Sequence, residues 1–266
     1  MNLTAQKIAE LELIIPTVLQ GLAQVVPGVE VILRDDLVIL SSHSFPSADI
    51  NRAYLIRTTP EGVDALIEEV VDFFKTRELP ASIMVSPACR PADLPQRLDV
   101  RGFLPLETDE AWMIMDGLQK VRAPKISRSV TIKRVETKAD VEAFAGVMTE
   151  AYDMPADWIP FLVQMLEPTV TIPGFAHYLA FIKGVPAGTL TLMRHKQCVT
   201  IGSAGVLPQY RGTNIIYNMA VEVLSEAKRE GVETVVLQTS LGSKFERFLR
   251  IAGFKLAFRR TEYKLE

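Results

Sequence analysis

Only two cysteines, Cys89 and Cys198, occur in the 266 residues, far apart and outside any CxxC spacing. That excludes a disulfide framework and a thiolate zinc site, and both read as free thiols of a reducing compartment. The three histidines, His43, His177 and His195, show no metal-ligand spacing and are expected at isolated surface or satisfied interior positions. Positive charge is not in excess either: 29 Lys and Arg stand against 32 Asp and Glu, a formal net charge of -3. There is no overall electrostatic case for a nucleic-acid partner. No window reaches the roughly 18 unbroken apolar residues of a membrane span. The N-terminus, "MNLTAQKIAELELIIPTVLQGL", is apolar, but Glu10 and Glu12 interrupt it and only Lys7 precedes it. An amphipathic helix is expected there rather than a signal peptide, and a cytoplasmic chain with no membrane partner follows as the default.

What is present is a core-forming composition. Hydrophobic residues make up 48% and charged residues 23%, on a chain long enough for one large domain or two ordinary ones. In the C-terminal half, "VTIKRV" (130–135) alternates as a strand. "KADVEAFAGVMTEAYD" (138–153) reads as a helix with Asp140 placed to cap it, and "PADWIPFLVQMLEP" (155–168) as a second helix. Residues 177–208 hold three apolar strands joined by turns at "KGVP" and "RHKQ". Ile215, Ile216, Met219, Ala220, Val223, Leu224 and Ala227 then recur on one helical face, with Gly231 as the stop. "TVVLQTS" (234–240), "SKFERFLRIAGF" (243–254) and "KLAFRRTEYKL" (255–265) read as strand, helix and one or two closing strands. The charged cluster "FRRTEYK" is expected on solvated surface.

The N-terminal half repeats the end of that order. Leu66, Ile67, Val70, Val71 and Phe74 fall on Met219, Ala220, Val223, Leu224 and Ala227. "SIMVS" (82–86) falls on "VVLQT", and Gly102-Phe103 on Gly253-Phe254. Two similar α/β units are expected, at 1–120 and 127–266, with the boundary in the basic stretch "DGLQKVRAPKISRS" (116–129).

The stretch that carries chemistry is "GVLPQYRGTNII" (205–216), a polar turn between a strand and a helix. A helix start leaves backbone N–H groups without intrahelical partners and adds the positive end of the helix dipole. A loop of little bulk lets those amides converge on a phosphate or pyrophosphate. Gly212 allows close approach and positive φ. Arg211 can make a charge-assisted bond to phosphate oxygen. Asn214 is expected either to take a left-handed backbone or to cap the helix with its side chain. The P-loop and GxGxxG signatures are both absent. The same six residues also read as a plain helix-capping turn.

The pattern [QR]-x-x-G-x-[GA], here Gln209-Tyr210-Arg211-Gly212-Thr213-Asn214, sits directly between a strand and a helix. With the order of elements over residues 130–266 and the "RIAGF" ending, it resembles the GCN5-related N-acetyltransferases (GNAT). The resemblance implies an α/β fold with a mixed central sheet, the acyl-CoA N-acyltransferase (GNAT) fold, in two tandem units of which the first is degenerate. It implies an acetyl-CoA-dependent enzyme acting by direct transfer on a small-molecule or peptide amine, and it is compatible with a homodimer. Binding of acetyl-CoA would then fall to Gly205, Val206, Gln209, Arg211, Gly212, Thr213, Asn214 and Ile215, the amides of 211–215 holding the pyrophosphate.

Two departures stand out. The last position of the pattern is Asn214, where the family has Gly or Ala. The family's thiolate-protonating tyrosine corresponds to Leu249, and no carboxylate lies on "CVTIGSAGV". Ser240 is the remaining candidate for a catalytic role, though a strand-end hydroxyl also explains it. A CoA-binding regulatory module of weak or no activity is the alternative reading. Tyr152, Asp153 and Trp158 fall where the family edges its acceptor site, and Asp153 is placed to attract an amine. The first unit has "IRTTPEGVD" before its helix and is expected to lack a CoA site.

Overall fold

The computed structural model describes residues 3–43, 50–120 and 129–265. Most of the stretch expected to separate the two repeats, residues 121–128, lies outside them. The elements run α1 (Ala5–Glu12), α2 (Ile14–Ala23), β1 (Val29–Leu33), β2 (Val38–Ser42), β3 (Arg52–Tyr54), α3 (Val63–Lys75), β4 (Ser82–Val85), α4 (Leu94–Val100), β5 (Phe103–Pro105) and β6 (Glu110–Asp116). They continue as β7 (Val130–Arg134), α5 (Lys138–Ala151), α6 (Ile159–Thr169), β8 (Phe175–Ile182), β9 (Val185–His195), β10 (Cys198–Val206), α7 (Ile215–Arg229), β11 (Thr234–Ser240), α8 (Lys244–Ile251) and β12 (Lys255–Leu265).

By contact, the described residues of 1–23, 27–115 and 236–266 form one compact unit, and those of 24–26 and 116–235 a second. The repeat boundary expected from the sequence divides the chain differently at its end, because the last 31 residues pack with the first unit. The reason is strand pairing. The first half of β12 pairs with β6, as in Lys255↔Ile114, and its second half pairs with β4 and β5 at Tyr263↔Ile83 and Tyr263↔Pro105.

The first unit has strand order β1-β2-β3-β4-β12-β6, with residues 236–240 of β11 beyond β6. The β3–β4 pair is parallel while β1–β2, β2–β3, β4–β12 and β12–β6 are antiparallel, so the sheet is mixed. Leu66, Ile67, Val70 and Phe74 of α3 pack on Ile39, Ile56 and Ile83, with Leu94, Leu98 and Phe103 completing the core. The repeat is visible in burial: Leu66, Val70 and Phe74 are buried, as are Met219, Val223 and Ala227 of α7.

Two sequence expectations change here. The N-terminal helix is two helices, because Pro16 lacks an N–H and fits only the first turn of a new helix. "FRRTEYK" is not all solvated surface: Arg260 is 5% exposed and pairs with Glu12 at 3.2 Å and Glu110 at 2.7 Å. Its guanidinium lies over the Trp112 ring, 5.0 Å from the centroid. Buried charge is sustained only when it is paired and hydrogen-bonded, and Glu12 also accepts from the Ser86 hydroxyl at 2.6 Å.

The second unit is an antiparallel meander, β7-β8-β9-β10, packed by α5, α6 and α7. Asp140 does not cap α5 alone. Thr137 is the cap, its hydroxyl accepting from the Asp140 N–H, while the Asp140 carboxylate accepts from the Thr137 N–H in a closed capping box. The Lys133 ammonium at 2.7 Å is the main cause that holds the Asp140 carboxyl down at about 2. The second predicted helix begins later than expected. Residues 156–158 form a 3-10 turn and α6 starts at Ile159, with Pro160 in its first turn. His177 is a satisfied interior histidine, between the hydroxyls of Thr169 at 2.6 Å and Thr191 at 2.8 Å. Among the described residues, no helix is long and apolar enough to cross a membrane.

Candidate binding loop between β10 and α7

The loop begins where β10 departs from regular pairing. Gly202 faces Thr191 and Gly205 faces Thr189, so one extra residue is accommodated on β10 as a bulge. Ser203 takes up the strain at φ +47, a left-handed backbone rare outside glycine, and its carbonyl accepts from the Thr189 hydroxyl at 2.8 Å. Beyond the bulge, Leu207 donates to the Ala187 carbonyl at 3.0 Å. Antiparallel pairs alternate, so Val206 and Gly188 form the non-hydrogen-bonded pair, and the Val206 N–H points away from β9.

Two strand glycines let helices come close. A Cβ on Gly188 would lie 2.7 Å from the Ile215 side chain and 3.2 Å from the Gly205 carbonyl. A Cβ on Gly205 would lie 2.9 Å from Ala151 and 3.1 Å from the Tyr152 ring. The start of α7 and the end of α5 are thereby drawn onto β9 and β10.

Residues 208–210 form a 3-10 turn whose Tyr210 packs on the core of Val141, Phe144 and Val147. The amides of Arg211 and Thr213 turn inward, donating to Pro208 O at 3.2 Å and Tyr210 O at 3.3 Å. The amides of Gly212, Asn214, Ile215 and Ile216 have no hydrogen-bond acceptor among the described residues. The sequence expectation that all amides of 211–215 converge is therefore corrected: two of the five are spent on closing the turn. Gly212 has φ +78, and a Cβ there would meet nothing within 4 Å. The loop thus has open space over its glycine, with donors at the positive end of a 15-residue helix.

The other loop residues fall as follows. Gln209, Arg211, Thr213 and Asn214 are exposed, while Ile215 is fully buried against Gly188. The Thr213 hydroxyl donates to Tyr210 O at 2.6 Å. The Arg211 guanidinium donates to the Ala151 carbonyl at 2.9 Å. Asn214 does neither thing expected of it: its φ is -84, and its side chain makes no capping bond. Its part is confined to the backbone amide. Gly205 to Ile215 are brought together by being contiguous. Ser240 is exposed at the end of β11 in the first compact unit, where its carbonyl accepts from the Ser243 N–H at 3.2 Å. Leu249 is 3% exposed, a packing residue.

Gly188, Thr189 and Ser203 were not singled out from the sequence. Their signal is the glycine inside "PAGTLT" and the pair of glycines in "GSAG", since glycine inside a strand marks close approach or a bulge. The matching helix start in the first unit is already closed. Gly62 has φ -89, and the amides of Gly62 and Val63 both donate to Thr59 O at 3.2 Å. A Cβ on Gly62 would meet the Thr58 hydroxyl at 2.9 Å.

No family model matches the sequence, and no curated protein is significantly similar to it. Solved structures are. A GCN5-related N-acetyltransferase from Kribbella flavida is 17% identical, with a TM-score of 0.69 over 99% of this chain and 96% of that one. A tandem GNAT protein from the clavulanic acid biosynthesis pathway is 12% identical, with a TM-score of 0.67 over 93% and 86%. A GCN5-related N-acetyltransferase from Sphaerobacter thermophilus is 18% identical, with a TM-score of 0.64 over 88% and 81%. With its mixed sheet and its repeated helix and strand pattern, the chain has the GCN5-related N-acetyltransferase fold in two tandem units.

Proposed function

We propose that the chain is an acetyl-CoA-dependent N-acetyltransferase acting on a primary amine by direct transfer. The observation that carries this reading is the set of unpartnered amides at Gly212, Asn214, Ile215 and Ile216 around an open glycine. They supply donors and a helix dipole to a pyrophosphate without a side chain in the way. The Arg211 guanidinium braces the loop against α5, and its remaining N–H groups stay available for a phosphate oxygen. When bound, acetyl-CoA supplies the thioester carbon at which a neutral amine forms the C–N bond as the C–S bond breaks, the amine losing a proton and the sulfur gaining one through solvent. The Val206 N–H, turned away from β9, would be the donor that meets charge developing on the acyl oxygen.

Isothermal titration with acetyl-CoA tests the loop, and release of free thiol with a panel of amines tests the transfer. Saturable binding with thiol release upholds the reading, and absence of binding sinks it. The second reading, a CoA-binding regulatory module, is favoured by one specific observation: Leu249 is packed in the interior and β10 carries no carboxylate, so neither usual proton-transfer group is present. Tight binding without thiol release for any amine would select it.

A further inference from the structure

The second unit has an open cleft on the sheet face that α7 covers, of about 470 Å³ with its mouth included. Side chains along β8 alternate between the two faces of the sheet. His177 turns toward α5, where its ring lies 5.2 Å from Phe144, so Ala176 and Tyr178 turn toward α7 and the cleft. Ala176 pairs with Leu192 on β9, and Val223 and Ala227 line the helix side. These four make an apolar floor. Bare methyl groups at Ala176 and Ala227 leave the gap between helix and sheet unfilled. Solvent reaches it: Ala176 and Leu192 are 9% and 7% exposed, against 1% for Leu190 two positions earlier on β9.

The rim carries two ion pairs and no net charge. Arg134 lies 3.3 Å from Glu226, and Arg194 lies 2.6 Å from Glu230. Neither pair uses up its groups. Among the described residues, the contact with Glu226 is the one hydrogen bond of the Arg134 side chain, so most of its N–H donors are left over. Glu226 accepts from Arg134 on one oxygen and from the Tyr178 hydroxyl, at 2.9 Å, on the other, and each keeps a lone pair. Burial, and then the bond to Glu226, push the Tyr178 phenol up, so its hydroxyl stays a donor. Glu230 engages one carboxylate oxygen only. Arg194 is committed, since its guanidinium also donates to the Lys196 and Glu230 carbonyls at 3.0 and 2.9 Å. One cation and two carboxylates with hydrogen-bonding capacity to spare thus surround an apolar floor.

We propose that this cleft binds a zwitterionic α-amino acid with an apolar side chain. The carboxylate takes the unused N–H groups of Arg134, in the two-point geometry that a guanidinium favours. The ammonium takes the open oxygens of Glu226 and Glu230, which are one helical turn apart on α7. The side chain covers Ala176, Leu192, Val223 and Ala227 and removes them from water. Charge balance makes the choice. A plain carboxylate would face two glutamates without compensation, and a plain amine would face two guanidinium groups. The cleft lies on the opposite face of the sheet from α5, and the claim does not depend on the proposed transfer reaction.

Isothermal titration of the full chain, without acetyl-CoA, tests this with leucine, 4-methylpentanoate, isoamylamine and glycine. The second probe lacks the ammonium, the third the carboxylate and the fourth the apolar side chain. Leucine is expected to bind saturably, at least tenfold more tightly than any of the other three. Arg134→Gln and Glu226→Gln are each expected to weaken leucine at least fivefold, and a glutamine at 226 still accepts from Tyr178. Arg229→Gln, a charge change at an exposed position of the same helix outside the cleft, is expected to leave binding unchanged. No saturable binding of leucine, equal binding of any one analogue, or leucine binding indifferent to both cleft substitutions overturns the inference. A concentration-dependent dimer lost in Arg134→Gln also overturns it, by assigning the cleft to a second copy of the chain. Circular dichroism separates lost binding from lost fold, and if one variant does not fold, the other variant and the three analogues decide.

Discussion

Arg211 donates from its guanidinium to the main-chain carbonyl of Ala151, 2.9 Å away, and so ties the turn before α7 to the end of α5. The side chain expected to neutralise phosphate is already holding the turn in shape. Arg211→Ala is expected to weaken CoA by about 1.5–3 kcal/mol, the range for a hydrogen bond involving a charged group. The amides and helix dipole remain, so binding is not abolished. Stability should move by no more than about 0.5 kcal/mol at so exposed a position. Titration calorimetry and a thermal melt on the same preparation check this, and unchanged affinity would confine Arg211 to bracing.

Gly212 separates a conformational effect from a spatial one. Because φ is +78, any Cβ costs about 1–2 kcal/mol, although the space around it is empty. Gly212→Ala should therefore lower stability by that amount, while CoA affinity falls by more than tenfold as the methyl enters the open space. Gly212→Val should abolish measurable binding. If Gly212→Val keeps its affinity with the fold intact, the loop is only a helix start.

Burial, with a smaller contribution from Arg134, pushes the His177 pKa down from 6.5 to about 4. Between those values the unfolded chain takes up a proton that the folded chain refuses, so stability is complete above pH 6.5 and falls as pH drops toward 4. The loss is up to about 1.4 kcal/mol per pH unit, roughly 3 kcal/mol in all. His177→Gln keeps a hydrogen-bonding side chain between Thr169 and Thr191 without a titrating ring. Urea unfolding at stepped pH should show a shallower slope for the variant, and identical slopes would refute the assignment.

The resemblance sets Leu249 against the family's usual tyrosine, which makes Leu249→Tyr the obvious gain-of-function change. Its side chain is buried, however, and a larger ring overpacks the site at a typical cost of about 1–3 kcal/mol. The expected outcome is a lower melting temperature with no gain in thiol release. A faster enzyme with an unchanged melt would show that the ring finds a way out to the reacting sulfur.

The sequence made some of this legible and concealed the rest for physical reasons. Helical spacing in α3 and α7 was readable because three equivalent pairs, beginning with Leu66 and Met219, face a core in both repeats. Gly212 was readable because glycine, having no Cβ, is the residue that takes positive φ in a turn ahead of an apolar helix. The bulge at Ser203 was not, since a serine at positive φ is dictated by its neighbours rather than its own preference. Strands β1 to β3 drew no reading at all. Nor was the Glu12–Arg260 pair readable, because its partners are 248 positions apart and each alone looks like solvated charge.

The long strand β12 has a consequence for how the protein is made. The Ser82 hydroxyl on β4 meets Glu262 on β12 across 180 positions of chain, and the strand between β4 and β6 comes from residues 255–265. At about 5–20 residues per second, β4 waits roughly 10–40 s on the ribosome for its neighbour. Until then it presents an open hydrogen-bonding edge, the surface on which nascent chains pair with one another. Such distant pairing also pays its loop-closure entropy before any contact repays it, so refolding should be slow. Loss of β12 would strike the unit that residues 27–115 build, and a nonsense mutation ahead of its codons would act as a lesion of strands made long before it.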